Sequence, residues 1–271
     1  MGPAPHPPAV GPTESRLLHL PAGDLELAAM GAGRPVVLVA SLGRGQEDFD
    51  CVAQPLLQGG LRLIRPEPRG IGRSAPLRPD ATLHDMAADV AAAVEALQAG
   101  PALVVGHAAG NWVARMLAHD RPDLVQGVAM LAAVTGTSVD AGISRSITAS
   151  FDLSLPDQER LQHLQRAYFA PGHDARVWLR GWHPEVARAQ RAAREATSDR
   201  AWLRAAETKP LLYLAAAEDA IAPPPSEEEL RAALGPLARR VVVARAGHAL
   251  LPEQPAAVAE ALIAFARSLW T

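Results

Sequence analysis

The chain has 271 residues, of which 49% are apolar, and its formal net charge is −3 at pH 7. This length fits one large domain or at most two, with enough apolar residues for a substantial core. The weak net charge and the lack of a basic cluster give no reason to expect a nucleic-acid partner. Cys51 is the only cysteine, which excludes an internal disulfide and a cysteine-based metal site.

The N-terminal region predicts a flexible tail. Residues 1–15 are rich in Pro and Gly and lack the basic segment and apolar core of a signal peptide. No apolar run approaches the ~20 residues that span a bilayer, so we expect a cytoplasmic protein without membrane contact. Lys209 is the only lysine among 26 basic residues, a bias that favours a GC-rich bacterial gene.

Strand and helix patterns alternate along the first half of the chain. Short apolar runs bounded by turn residues predict strands at 16–20, 25–30, 35–40, 61–65, 101–105 and 125–134. Apolar positions at helical spacing predict helices at 47–57, 82–97 and 111 to about 119. This alternation predicts an α/β fold, with a mostly parallel sheet that has helices on both faces.

The alternation lapses between residues 135 and 207 and then resumes. The interrupting block has several helix-like pieces and contains six of the chain's aromatic residues. Predicted strands at 210–216 and 240–244 and predicted helices at 226–234 and 255–270 follow it. We therefore expect a core formed by 16–134 and 208–271, with 135–207 inserted after the sixth strand as a helical lid.

The segment Gly106-His-Ala-Ala-Gly110 lies between a predicted strand and a predicted helix. A glycine on each side of a sharp strand-to-helix turn avoids collisions with neighbouring backbone. The same context surrounds the G-x-S-x-G nucleophile elbow of serine hydrolases. Here Ala108 occupies the central position, and its methyl group cannot act as a nucleophile. The sequence thus predicts the shape of an elbow without its reactive oxygen.

From about residue 16 to its C-terminus the chain resembles the α/β-hydrolase fold superfamily. Five segments in the family's order carry the resemblance: the loop at 39–45, the turn at 66–74, the elbow, the acid segment at 217–223, and the Gly-His pair at 247–248. Any one of them alone would be a weak signal. The resemblance implies an enzyme of hydrolase or lyase type, with a small-molecule substrate and without metal or cofactor.

The resemblance also implies positions for a catalytic triad. Its order of nucleophile, acid and base assigns Ala108, Asp219 and His248 to these positions. A carboxylate on the far nitrogen of a histidine fixes the tautomer and stabilises the imidazolium that forms. Glu218 is an alternative partner for the histidine, and Asp140 is a weaker alternative because it lies several residues beyond its strand.

The oxyanion hole of the family uses two backbone N–H groups, which the resemblance assigns to Leu42 and Ala109. Ser41 stands where relatives usually have glycine. Hydroxynitrile lyases of this fold are similar in having a hydroxyl residue at this position, and Ser41 is therefore a candidate substrate-binding residue. Its alternative role is a hydrogen bond within its own loop. Arg44 is expected on the surface rather than in the pocket, and Ser74 in a structural turn.

Three tryptophans are candidate substrate-binding residues, namely Trp112, Trp178 and Trp182. Packing among the helices of the inserted block is the alternative for the last two. An aromatic lid over an apolar pocket favours a small, largely apolar substrate with a carbonyl or hydroxyl group. His107, adjacent to the elbow centre on a sharp turn, is expected to be structural, and the remaining histidines lack metal-ligand spacing.

Three functions are compatible with an elbow that carries alanine. In the first, the acid and base activate water or promote elimination or cleavage without a serine. In the second, Ala108 replaces the serine of an ester or carbon–carbon bond hydrolase. In the third, the pocket is a non-catalytic binder, although a binder needs no base. Further departures at Ala40-Ser41, Glu67 and Ala216 favour the first, since an engineered change alters one position only.

Overall fold

A computed structural model describes residues 14–134 and 139–270 of the chain. Most of the expected tail, 1–15, lies outside these ranges, and its last two residues belong to the first strand. Within the described ranges no helix is long and apolar enough to cross a membrane.

Eight strands form one sheet in the order β1-β2-β4-β3-β5-β6-β7-β8. Their bounds are β1 Glu14–Leu20, β2 Gly23–Met30, β3 Arg34–Val39, β4 Leu61–Pro66, β5 Ala102–His107, β6 Val125–Leu131, β7 Leu211–Ala216 and β8 Ala238–Val243. The pairs β1–β2 and β2–β4 are antiparallel, and the other neighbours are parallel. The predicted mostly parallel sheet is therefore confirmed.

Helices cover both faces of this sheet, as the alternation of elements predicts. They are α1 Asp50–Gln58, α2 Leu83–Ala96, α3 Gly110–Asp120, α4 Ala141–Ser150, α5 Asp157–Tyr168, α6 Pro184–Ala196, α7 Glu227–Leu234, α8 Leu250–Glu253 and α9 Pro255–Leu269. α2, α3 and α7 pack on one face, and α1 and α9 on the other. Successive strand residues alternate between the two cores, as in Val104 and Val105 of β5.

Local signals set the element ends more sharply than the apolar pattern does. Thr82 and Asp85 form a capping box at the start of α2, and Ser226 and Glu229 form one at the start of α7. The prediction that the sixth strand reaches residue 134 was wrong. β6 ends at Leu131 because Ala132 takes a left-handed conformation with φ of +47°.

The segment between β6 and β7 contains α4, α5 and α6, and it forms a third apolar cluster. Tyr168, Trp178 and Trp182 of this cluster pack with Ile221, which follows β7, and with Ala249, which follows β8. The helices therefore lie against loops that leave the carboxyl ends of the parallel strands, where ligands bind in open α/β sheets. That the segment acts as a lid stays a prediction.

Candidate active site

The turn from β5 to α3 holds Ala108 in a left-handed conformation, with φ of +44°. Its amide donates to the Leu131 carbonyl at 2.8 Å, and its carbonyl accepts the Asn111 backbone and side-chain amides. A Cβ atom at Gly106 or Gly110 would lie no more than 2.5 Å from neighbouring backbone. The sharp turn thus depends on backbone contacts and glycines, and its shape does not involve the methyl group at its centre.

His248 and Asp219 form a hydrogen-bonded pair beside this turn. Nδ1 of His248 lies 2.9 Å from Oδ2 and 3.1 Å from Oδ1 of Asp219. The carboxylate also accepts the backbone N–H groups of Ile221 and Ala222, both at 2.8 Å. Burial opposes ionisation, but His248 and these two amides lower the pKa of Asp219 below its usual value. The aspartate is therefore a carboxylate that orients the imidazole.

Neither alternative acid has this position. The side chain of Glu218 is exposed, and its backbone amide donates to the Ala246 carbonyl. Asp140 caps α4, where its carboxylate accepts the backbone amides of the first turn. Among the three acids that the sequence left open, Asp219 is the one bonded to His248.

An open cavity lies in front of Ala108 and His248, and both residues border it. Its walls are mostly apolar and aromatic, and they include the predicted residues Ser41, Trp112 and Trp182. Sequence reasoning missed other wall residues: Asn111, Ile147, Phe151, Tyr168 and Ile221. The aromatic content of the inserted block is the one signal that pointed to Phe151 and Tyr168.

Trp178 does not border this cavity, so the structure does not place it where it was expected to contact a substrate. The side chain is 3% exposed and lies behind the wall, with its ring 5.5 Å from that of Tyr168 and 5.9 Å from that of Trp182. His107 closes another side, at 5.8 Å between ring centroids. Trp178 therefore packs within the inserted block, which is the alternative role expected for it, because other rings enclose its own.

The loop after β3 brings backbone N–H groups to the cavity. The amides of Ser41 and Gly43, on either side of Leu42, donate to buried side-chain oxygens at 3.1 and 2.9 Å. In the described ranges, the N–H groups of Leu42 and Ala109 donate to no protein acceptor, and both residues border the cavity. These are the two amides that the resemblance assigns to an oxyanion hole, and that role stays a prediction.

Ser41 borders the same cavity and is 8% exposed. Its hydroxyl forms no hydrogen bond with another residue in the described part of the chain, whereas its backbone amide is held by Asp48. A hydrogen bond from this hydroxyl to its own loop, the alternative role, is therefore not observed in the described part of the chain.

Arg44 is buried, so the prediction that it lies on the surface was wrong. It is 4% exposed, and its Nε donates to Oδ1 of Asp48 at 2.9 Å. Its guanidinium lies 4.7 Å over the Trp178 ring and 5.2 Å over the Trp182 ring. A buried counter-charge and two aromatic faces compensate for the loss of water around the guanidinium.

A second histidine–carboxylate pair lies beneath the first. Nδ1 of His107 is 2.7 Å from Oδ2 of Asp48, and its Nε2 is 3.2 Å from the backbone carbonyl oxygen of His248. Burial opposes ionisation of Asp48, but His107 and Arg44 hold the pKa of this carboxyl well below its usual range. His107 thus links the elbow strand to the backbone of His248, which fits the structural role expected for it.

Ser74 lies in a hydrogen-bonded turn, as expected. Its hydroxyl donates to the Glu67 carbonyl at 2.8 Å and accepts the Glu26 amide at 3.0 Å. Across residues 14–134 and 139–270, no group of three or more His, Cys, Asp or Glu side chains is arranged to hold a metal ion.

Comparison with known proteins identifies the family. Residues 11–261 match the family described as "Alpha/beta hydrolase family". The chain belongs to the alpha/beta hydrolase family. The predicted fold class is thereby confirmed, and with it the coarse assignment of an enzyme, because relatives of this chain are named as enzymes, among them a lipase and a carbamate hydrolase.

Relatives of this alpha/beta hydrolase are matched over part of their length. The mouse sn-1-specific diacylglycerol lipase ABHD11 is 29% identical over 53% of this chain and 44% of its own length. RutD of Caulobacter vibrioides, provisionally named a carbamate hydrolase, is 39% identical over 40% of this chain and 39% of its own. The chain therefore matches less than half the length of either relative.

Solved structures match this alpha/beta hydrolase along most of the chain. BpoC of Mycobacterium tuberculosis, provisionally named a non-heme bromoperoxidase, is 26% identical with a TM-score of 0.75, covering 91% of this chain and 97% of that one. A thermophilic esterase from Thermogutta terrifontis is 23% identical with a TM-score of 0.75, covering 95% and 100%. At this identity the esterase shows the shared fold.

Proposed function

We propose that this enzyme acts on a small, largely apolar molecule with a carbonyl or hydroxyl group, and that it does so without a serine nucleophile. The observation that carries the proposal is the pairing of a buried Asp219–His248 hydrogen bond with a methyl group at the elbow centre. Both His248 and Ala108 border one cavity. A base is therefore present where the usual nucleophile is missing.

The hydrogen bonds of His248 define its proposed role. Because Nδ1 donates to the Asp219 carboxylate, the neutral ring has its lone pair on Nε2. In the described part of the chain Nε2 has no protein partner, and the residue borders the cavity. Nε2 would accept a proton from water or from the substrate, and the carboxylate would stabilise the imidazolium.

The free amides of Leu42 and Ala109 supply the other half of the proposed mechanism. Negative charge that develops on a substrate oxygen, as alkoxide or enolate, would be stabilised by these fixed donors. In a hydrolytic version, the oxygen of the activated water bonds to the substrate carbonyl carbon. The bond from that carbon to the leaving group then breaks, and His248 gives the proton that it took from water to the leaving group. Relatives named diacylglycerol lipase and carbamate hydrolase support a carbonyl substrate, since esters and carbamates both contain that group.

The experiment measures turnover of a panel of esters, carbamates and β-hydroxy ketones by mass spectrometry, with wild type and His248→Ala. We expect the variant to lose about 10²–10⁴-fold in kcat on the substrate that wild type converts. His84→Ala is the matched control, because His84 forms an exposed pair with Asp120 at 2.7 Å. Turnover that persists in His248→Ala would show that the base proposal is wrong.

A second candidate is a serine hydrolase that is inactive because position 108 carries alanine. The intact left-handed turn at Ala108 favours it, since the elbow retains the geometry that a nucleophile needs. Ala108→Ser with short p-nitrophenyl esters tests this candidate. Strong esterase activity in the variant alone would support it, and inactivity of both proteins would count against it. Ligand binding without turnover of any compound would favour a binder.

A further inference from the structure

A second cavity adjoins the active-site cavity on the side of α2 and α3. Four residues border both cavities, namely Ser41, Leu42, Ala109 and Trp112. Two of them, Leu42 and Ala109, are the residues whose backbone amides donate to no protein acceptor in the described ranges. A carbonyl oxygen bound by these amides would therefore lie at the boundary between the two cavities, with one cavity on each side.

The walls of the second cavity are mostly apolar. β2, the segment after β4, α2 and α3 contribute aliphatic side chains and a thioether: Leu25, Leu77, Met86, Val90 and Val113. Leu25, Val90 and Val113 are buried, and the other two are half-buried. Side chains in protein interiors interdigitate and leave few voids, and an apolar cavity favours an apolar guest over water. The second cavity is thus suited to an apolar part of a ligand.

The charged side chains of the second cavity disfavour a charged ligand. Asp89 neutralises the guanidinium of Arg69, with 2.7 Å between Nε and Oδ2, and Nη1 of Arg69 donates to the Ala22 carbonyl at 2.8 Å. Glu67 is buried, and its Oε1 accepts the Gln46 amide at 3.0 Å. Burial raises the pKa of Glu67, and its ionised form would repel an anion. A cation would lose its hydration among mostly apolar walls, so the part of a ligand that enters here is uncharged.

The walls on the two sides of Trp112 differ in their chemistry. The active-site cavity is bordered by the base, His248, and by the rings of Phe151 and Tyr168. The described walls of the second cavity contain no histidine, and Trp112 itself is their one aromatic side chain. Because the reacting bond must face the base, it lies in the active-site cavity. The second cavity is left for a part of the substrate that does not react.

We propose that the second cavity binds an uncharged aliphatic chain of the substrate, attached to a carbonyl group whose oxygen lies at the amides of Leu42 and Ala109. The chain would pack against Met86 and Val90, and the group on the other side of the carbonyl would face His248. The substrate is therefore an acyl compound with a chain of several carbons. The position of the carbonyl rests on the proposed function, but burial of the chain does not depend on the reaction.

The experiment measures the binding of butanamide, hexanamide and octanamide, three neutral acyl compounds of increasing chain length, by isothermal titration calorimetry. Val90→Phe fills part of the second cavity, because Val90 borders it and is 5% exposed. Ala88→Phe is the matched control, since Ala88 lies exposed on the same helix and borders neither cavity.

In wild type and in Ala88→Phe we expect affinity to rise about three- to fourfold with each added methylene. In Val90→Phe the gain from butanamide to octanamide should shrink about tenfold or more, while butanamide should bind as in wild type. A gain in Val90→Phe equal to that of wild type would overturn the proposal, as would equal affinity of wild type for the three amides.

Should Val90→Phe fail to fold, photolabelling of wild type decides, with an octanamide that carries a diazirine near the end of its chain. Mass spectrometry should find the label on Leu77, Met86 or Val90. A label confined to residues outside the second cavity, such as Phe151, would contradict the proposal. His248→Ala should keep the gain of affinity with chain length, so failure of the base mechanism is distinguishable from failure of the chain-binding cavity.

Discussion

Two histidine–carboxylate pairs lie side by side in this protein, with 6.0 Å between the ring centroids of His107 and His248. Each ring bonds a buried aspartate through Nδ1, at 2.7 Å to Asp48 and 2.9 Å to Asp219. The difference is the second nitrogen. Nε2 of His107 faces a backbone carbonyl, whereas His248 borders the cavity. The same two side-chain types thus form a fixed link in one place and present an imidazole to the cavity in the other.

The aspartates of the two pairs differ in their other partners. Asp48 contacts Arg44 and the Ser41 amide in its own segment and His107 in the elbow strand, so it holds a buried guanidinium as well as a histidine. Asp219 contacts its histidine and two amides of its own loop. We therefore expect changes at Asp48 to act mainly on stability and changes at Asp219 mainly on rate.

The largest expected effect is that of Asp219→Asn on rate. The amide would retain acceptors for the loop N–H groups but remove the charge that stabilises the imidazolium of His248, so kcat should fall about 10²–10⁴-fold. Steady-state kinetics on the identified substrate measures this loss, and urea unfolding should show a much smaller change in stability. A variant with wild-type kcat would remove the distinction between the two pairs.

Asp48→Asn should have the largest effect on stability. Removing this carboxylate leaves the buried guanidinium of Arg44 without a counter-charge, which costs about 3–5 kcal/mol of unfolding free energy. Asp123→Asn is the matched control, because Asp123 and its partner Arg121 are both accessible to solvent, and it should change stability by no more than about 1 kcal/mol. Urea denaturation compares the two, and similar losses would show that Asp48 is not the structural centre inferred here.

His107→Gln should have an intermediate effect. A glutamine amide can donate to Asp48 or to the His248 carbonyl, but its reach does not match both, so about 1–3 kcal/mol of unfolding free energy should be lost. The kcat value should fall much less than in Asp219→Asn, because the lone pair of His248 is untouched. A rate loss as large as that of Asp219→Asn would mean that the second pair acts directly in the chemistry.

The smallest expected effect is on the acid side of the stability profile. The folded-state pKa of Asp48 is depressed below its ordinary value of 3.8, so its stabilising contribution is present above that pH. The contribution is lost as pH falls toward the folded-state pKa, by up to about 1.4 kcal/mol per pH unit for one carboxylate. Urea unfolding between pH 5 and 2 should therefore show a shallower decline in Asp48→Asn than in wild type, and parallel declines would contradict this assignment.

The elements and segments that could be predicted are those whose signals are local. Two glycines around residue 108 predict the sharp turn, and the contacts at Gly106 and Gly110 explain why. The order of family segments led to the expectation of an Asp219–His248 pair, and the structure contains that hydrogen bond. Strand and helix positions followed from apolar spacing to within a few residues.

The rest depends on contacts between distant parts of the chain. Asp48 meets His107 across 59 positions of sequence, and no pattern around either residue indicates that contact. Arg44 was expected on the surface because a charged loop residue usually lies there, and only its buried partner changes that expectation. Likewise, the stacking of Arg194 on Trp112 joins α6 to α3. The spacing of residues within either helix does not predict that contact.

The backbone of the elbow has a consequence for how such enzymes change over time. Leu131 and Asn111 hold Ala108 in its left-handed turn through hydrogen bonds to its backbone, and the flanking glycines allow the close approach of neighbouring backbone. None of these contacts uses the side chain of residue 108. Alanine and serine codons differ by a single base. A change between alanine and serine at position 108 therefore takes one mutational step and leaves these backbone contacts in place.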